Sequence, residues 1–180
     1  FAHPQPAPFP RVHAKMSDIP YSIVPPEGIP GWHPNIDRLW RYLRRIAPDG
    51  KPPSRHKFDP IDIPDLLSRI WILDVTHDPF ELVYRMCGTH EVASLECDPT
   101  GQSFIGMHRD RLAREPNMLE RYRRMARTGE ATWRRGNLVF RHQERHKSVE
   151  NIMVPMTNEG PEVAMILCYS LVFRSDGTLY

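Results

Sequence analysis

Apolar residues recur along this chain at two different spacings, and the change from one to the other near Ile70 divides it. In the first part Ile36, Leu39, Trp40 and Leu43 fall three and four apart, the interval that brings side chains onto one face of a helix. Asn35, after Pro34, is expected to cap this helix; Arg41, Arg44 and Arg45 gather at its negative end, and Pro48 and Gly50 stop it. A shorter helix is expected with Asp62 as its cap, Pro64 and Asp65 in its first turn, and Leu66 and Leu67 turned inward.

From Ile70 onward the texture is that of strands. Residues 70–75 and 82–87 are rich in β-branched or aromatic side chains, and Thr76, His77, Asp78 and Pro79 between them form a turn, so a hairpin is expected. Thr89 is expected to cap a short helix that buries Val92 and Leu95 and stops at Asp98, Pro99, Thr100 and Gly101. Pro116 opens a longer helix: Met118, Leu119, Tyr122, Met125 and Ala126 make its inward stripe, with Arg121, Arg123, Arg124 and Arg127 outside. Three strands follow, at residues 131–141, 148–156 and 162–173, the last two joined tightly through Asn158, Glu159, Gly160 and Pro161. Strand pairs separated by helices predict an α+β fold: a five-stranded antiparallel sheet with short helices on one face and an N-terminal helical extension.

The last strand sharpens that picture. Val163, Met165, Leu167, Tyr169, Leu171 and Phe173 project from one face, Ala164, Ile166, Cys168 and Ser170 from the other. Since both faces are mostly apolar, the outer one must also be covered, either by the N-terminal helix through Leu39, Trp40 and Leu43 or by a second copy in a homodimer.

Composition sets the frame. A chain of 180 residues with 40% hydrophobic content suffices for one core. After Asp65 the prolines are only Pro79, Pro99, Pro116, Pro155 and Pro161, so the remainder of the 19 crowd the front third. We therefore expect an extended proline-rich arm at 1–34, a helical cap at 35–69, the sheet domain at 70–174 and a tail at 175–180. No apolar run reaches roughly 18 residues, and residues 1–15 lack the apolar centre of a secretory signal, so no membrane partner is expected. Cys87, Cys97 and Cys168 are odd in number and set among apolar neighbours, which reads as buried thiols of a reducing, cytoplasmic compartment. The formal charge is only +2, but arginines concentrate between residues 109 and 135. They read first as a solvated helix face and second as a surface for nucleic acid or an acidic partner.

Specific sequence features carry a resemblance. Phe58-Asp59-Pro60-Ile61-Asp62-Ile63-Pro64 with Leu66-Leu67 precedes the first strand, and Tyr84-Arg85-Met86-Cys87-Gly88-Thr89 runs from the second strand into a helix. Asp98-Pro99-Thr100-Gly101 follows, then Glu150 at the start of the fourth strand and Pro155-Met156 at its end. In their order, from about Asn35 to Phe173, these resemble a bacterial family of single PAS-like domains with an N-terminal helical cap. The resemblance implies a sheet and helices that enclose a cavity for a small molecule, and a role in signalling as a ligand sensor or a protein-contact surface. It implies no chemistry. Met86-Cys87 stands where relatives often carry aliphatic residues.

The chemical motifs do not complete themselves. His142, Glu144 and His146 suggest a metal, but Gln143 stands where a zinc protease needs Glu, and no CxxC accompanies the cysteines. The run from Gly101 to Gly106 places Ile105 where a nucleophile elbow needs glycine, leaving Ser103 a loop serine. His90 and Glu91 are adjacent, do not face each other on a helix, and read as a surface pair. What remains is a pocket for a small apolar ligand, expected to be lined by Tyr84, Met86, Val92, Met125, Trp133 and Met165, with Thr89 or Tyr84 offering a hydrogen bond. The expected function is a stand-alone sensory domain for a small ligand, a protein partner or both, without catalysis of its own. The alternatives are a nucleic-acid-binding protein using the arginines of 109–135, helped by Trp133, and an enzyme of a cone-like α+β fold.

Overall fold

The computed structural model describes residues 21–136 and 146–180. Within them the chain forms β1 (Ser22–Ile23), α1 (Pro34–Ile46), and three 3-10 turns at Arg55–Lys57, Pro60–Asp62 and Leu67–Arg69. Next come β2 (Ile70–His77), β3 (Phe80–Cys87), α2 (Thr89–Leu95), α3 (Phe104–Met107), α4 (Arg109–Arg114) and α5 (Pro116–Thr128). Three strands complete the order: β4 (Thr132–Gly136), β5 (His146–Thr157) and β6 (Val163–Arg174). Among the described residues no helix is long and apolar enough to cross a membrane.

Local chemistry explains where the elements begin and end. α1 starts at Pro34, which needs no amide partner there, and its cap is His33 rather than Asn35: the His33 Nδ1 accepts the Asn35 amide at 3.1 Å. The α-helix expected after Asp62 is replaced by separate 3-10 turns. Pro64 stops the Pro60–Asp62 turn from running on as an α-helix, since it has no N–H for the carbonyl of Pro60, and beyond it the amides of Leu66, Leu67 and Arg69 each donate to the carbonyl three residues back. The Asp59 carboxylate caps the first of these turns, accepting the Ile61 amide at 2.9 Å. α5 begins at Pro116 as expected and closes at Gly129, whose φ of 71° is left-handed and whose amide donates to the Met125 carbonyl. α2 is capped by Gly88, not Thr89. A Cβ on Gly88 would run into the backbone oxygens of Leu67 and Ser68, so glycine lets the start of α2 lie directly on that turn.

The sheet is antiparallel throughout, in the order β1-β4-β5-β6-β2-β3. It has six strands where five were expected. The additional one, β1, belongs to the arm read as loop: Ser22 pairs with Trp133 and Ile23 with Thr132, and the Val24 amide continues to the Ala131 carbonyl at 2.9 Å. The expected hairpin of β2 and β3 forms and lies against the last strand, with Trp71 opposite Cys168.

Both faces of the sheet are covered, and by different parts of the same chain. α1 and the 3-10 turns pack on one face, which we call the cap face, through Ile36, Leu39, Trp40, Leu43, Ile63 and Leu66. α3, α4 and α5 pack on the other, through Phe104, Leu112, Tyr122 and Met125. The N-terminal helix is thus the cover that the two apolar faces of β6 required. Met165, Leu167, Tyr169 and Leu171 turn to the cap, and Ile166 and Cys168 turn to the helical face. Each fully buried leucine or isoleucine at these contacts contributes roughly 1.5–3 kcal/mol of transfer free energy.

One irregularity decides which face β3 presents. Leu73 pairs with Tyr84 but Ile72 pairs with Met86, so Arg85 is an extra residue, a β-bulge. Tyr84 therefore joins the helical face while Met86, two residues on, joins the cap face and Cys87 returns to the helical one.

The cap is also clasped to the sheet by one carboxylate. Glu150, 1% exposed on β5, accepts the backbone amide of His33 at 2.9 Å and the indole N–H of Trp133 at 3.0 Å on one oxygen. Its other oxygen accepts from Nε and Nη2 of Arg135 at 3.2 and 2.9 Å. Arg135 in turn donates to the Gly31 carbonyl, so the arm, β4 and β5 meet on one charge.

Candidate ligand-binding site

The helical face has an apolar end and a polar end. At the apolar end the Phe104 ring lies between Tyr122, 4.9 Å away, and Trp71, stacked at 6.3 Å. The Tyr84 hydroxyl lies 2.9 Å from Nε2 of His108. Burial, and then the positive charge of Arg111, holds the His108 imidazole down to about 4, so it is neutral at physiological pH. Burial likewise keeps the Tyr84 hydroxyl protonated.

At the polar end the strands set their polar residues in line. Arg134 of β4 is opposite Asn151 of β5, which is opposite Ser170 of β6, and all three are buried. The neighbouring row, Thr132, Met153, Cys168 and Trp71, leads from it into the apolar end. Arg121 reaches down from α5 onto these rows. Its Nε donates to the Thr132 hydroxyl oxygen at 2.8 Å and its Nη2 to Oδ1 of Asn151 at 3.3 Å. The Thr132 hydroxyl passes its own hydrogen to the Met125 sulfur at 3.2 Å. Above the guanidinium lies the Tyr21 ring, 5.2 Å from its centroid to Cζ of Arg121.

The electrostatics at this end are unusual for a core. Arg121 is only 5% exposed, and among the described residues no carboxylate pairs with it. Burial lowers its pKa from the ordinary arginine value. Arg134 is brought down to about 10, by burial first and then by the positive fields of Arg121 and Arg111. Glu115 partly offsets these charges, with its Oε2 3.8 Å from Nη2 of Arg111.

A second buried ionisable group stands on α2. Glu91, read from sequence as half of a surface pair, turns its carboxyl inward, and its Oε1 is buried without a hydrogen-bond partner. Burial pushes this carboxyl up to about 7, against the pull of Arg69. His90 goes the other way: its Nε2 lies 3.0 Å from Nη1 of Arg69, and its ring meets Tyr180 edge-on. Ser103 caps α3 by accepting the Gly106 amide and donates to Glu81, the part of an ordinary loop serine. All three cysteines are free thiols, yet Cys97 is exposed, not buried as expected. Cys97 lies beyond α2, which ends at Leu95 with Glu96 as its cap in a left-handed conformation.

The residues expected to line one pocket are divided by the sheet. Tyr84 and Met125 lie together on the helical face, and Val92 is half-buried on α2. Met86, Trp133 and Met165 belong to the cap side, Met86 because of the Arg85 bulge and the other two by simple strand alternation. Thr89 is exposed at the first position of α2. The His142 and Glu144 part of the suggested metal motif lies outside the described residues. Among those described, no group of three or more His, Cys, Asp or Glu is placed to hold a metal ion.

Sequence reading missed Arg121, Arg134, Asn151 and Glu91. A signal was present for two of them. Position 121 lies three after Met118 and four before Met125, next to Tyr122 and so at the edge of the inward stripe, and its charge alone assigned it outward. Arg134 shares strand phase with buried Thr132. Comparison with family models, with curated proteins and with solved structures found no match in any of the three.

Proposed function

We propose that this chain is a PAS-like sensory domain that takes a small ligand between the sheet and its covering helices and passes the change to a protein partner. One observation carries the reading: the interior of the helical face holds a guanidinium set over a row of polar side chains, where a purely structural core would be apolar. The arrangement of a strand pair, short helices, three further strands and an N-terminal helical cover supports the PAS-like part, with β1 an addition to the five expected strands.

The same architecture offers a route for the signal. Ile166 and Cys168 of β6 face the site, while Leu167 and Tyr169 between them pack under the cap. A displacement of β6 is therefore felt on both faces, and a ligand that binds two such arrangements unequally will shift α1. The reading is one of recognition in a reducing, cytoplasmic setting, not of catalysis.

The nucleic-acid alternative loses much of its basis. Arg121 and Arg134 are buried, Arg124 pairs with Glu130 at 3.0 Å, and Arg135 pairs with Glu150 at 2.9 Å, so the arginines of 109–135 do not form one basic face. A second copy is not needed to cover the sheet, because α1 does so.

The test is native mass spectrometry of the purified full chain beside hydrogen exchange of residues 34–46. A retained small molecule whose removal changes exchange in α1 supports the sensory reading. If no small molecule, retained or added from a metabolite library, alters exchange in α1, the reading fails.

A further inference from the structure

We infer that the ligand of this site carries an oxyanion, a carboxylate or a phosphate group, held by Arg121 at the polar end of the helical face, beside Arg134. This rests on the ligand-binding reading above and replaces the apolar ligand expected from sequence.

Charge is the first argument. At the junction of α4, α5 and β4 the positive charges of Arg121 and Arg111 are felt at Arg134, and among the described residues Glu115 partly offsets them there. Arg121 in particular is buried with only neutral acceptors, Thr132 and Asn151, on its N–H groups. A buried cation is costly unless something negative meets it. The second argument is geometry. A guanidinium has five N–H donors in a rigid plane, and here two of them are used to fix that plane against β4 and β5. A fork held this way is suited to the two oxygens of a carboxylate or phosphate. The third is position. Asn151 and Ser170 continue the polar row beside Arg134, offering neutral hydrogen bonds of the kind that orient a ligand. Tyr21 lies over the guanidinium from the arm, so the site is closed on that side by the strand that precedes the cap.

The competing account is that Arg121 is a strut that ties α5 to the sheet. Asn151→Asp separates the two. It is nearly isosteric and places a carboxylate where Oδ1 now lies, 3.3 Å from Nη2 of Arg121. If the site is built for an oxyanion, this internal one will fill it.

The experiment follows the melting temperature of the full chain against sodium phosphate and sodium acetate, with sodium chloride at matched ionic strength and benzyl alcohol as a neutral apolar probe. We expect a saturable rise with phosphate or acetate that chloride does not reproduce, the anion saturating at lower concentration identifying the source. In Asn151→Asp the melting temperature should rise without ligand and the anion response should vanish; in Arg121→Met the anion should bind at least about tenfold more weakly. The inference is overturned if neither anion exceeds chloride, or if the anion response survives unchanged in Asn151→Asp. Stabilisation by benzyl alcohol alone would sink the oxyanion while keeping a ligand-binding interior. Stabilisation by none of these probes, with no molecule retained in native mass spectrometry, would remove both.

Discussion

Glu150 and Arg121 are buried charges on opposite faces of the same sheet, and their surroundings differ. Glu150 accepts from a backbone amide, an indole and two N–H groups on one edge of a guanidinium, so its negative charge is matched and its oxygens are used. Arg121 meets neutral oxygens and an aromatic ring, beside a second buried arginine. A matched charge fixes structure, and its removal leaves partners stranded. An unmatched one is retained at a cost, which makes the helical face the place to look for function.

The widest separation between the faces is expected from the cap core. Leu43 is fully buried against the sheet, and Leu43→Ala should lower unfolding free energy by about 2–5 kcal/mol in urea titration. A cost below about 1 kcal/mol would mean that α1 is a loosely held accessory, not part of the core.

Next comes pH, acting on the helical side. The Glu91 carboxyl is raised from 4.5 to about 7 by burial, so the folded chain holds a proton there that the unfolded chain has released. Stability from this group is greatest below the unfolded value and falls as pH rises toward 7, by on the order of 2–3 kcal/mol. Glu91→Gln should remove that fall, so the difference between wild type and variant, near zero at pH 4, grows toward pH 8. Parallel stability curves across that range would show that the carboxyl is solvated.

Removing the clasp tests the cap face from its polar side. Glu150→Ala should cost about 2 kcal/mol, because it leaves Trp133, Arg135 and the His33 amide without their acceptor, and Glu150→Gln should cost less. Protease cleavage around Gly31 is a direct readout of whether the arm has been released.

The smallest change should come from the buried charge that meets no group of opposite sign among the described residues. Arg121→Met fills similar space without an unmatched cation, and its effect on unfolding free energy should stay within about 1 kcal/mol of zero. A loss comparable with that of Glu150→Ala would mark Arg121 as structural.

Much of this fold could be read from spacing. The stripe through Ile36, Leu39, Trp40 and Leu43, the hairpin before and after Thr76 to Pro79, the proline and glycine bounding α5, and the two apolar faces of β6 all follow from local rules. The helix expected after Asp62 closes instead as short 3-10 turns, with amides donating three residues back, a choice the spacing of Leu66 and Leu67 does not distinguish. The site was far less legible. Met86 and Tyr84 keep the same strand phase in the sequence, and only the pairing of β3 with β2 inserts Arg85 between them. Arg121 and Arg123 are chemically alike, and only the position of α5 over β4 and β5 makes one buried and the other exposed.

By itself, then, the chain's pattern determined its elements and the need to cover both sides of its last strand, because periodicity and the backbone limits of proline and glycine act within a few residues. Tertiary structure alone decided that β1 joins the edge of β4, that Glu150 becomes a clasp, and that Arg121, Arg134 and Asn151 come together from three separate elements. The physical reason is that these depend on pairings between residues far apart in sequence, whose energies appear only once the strands are in register.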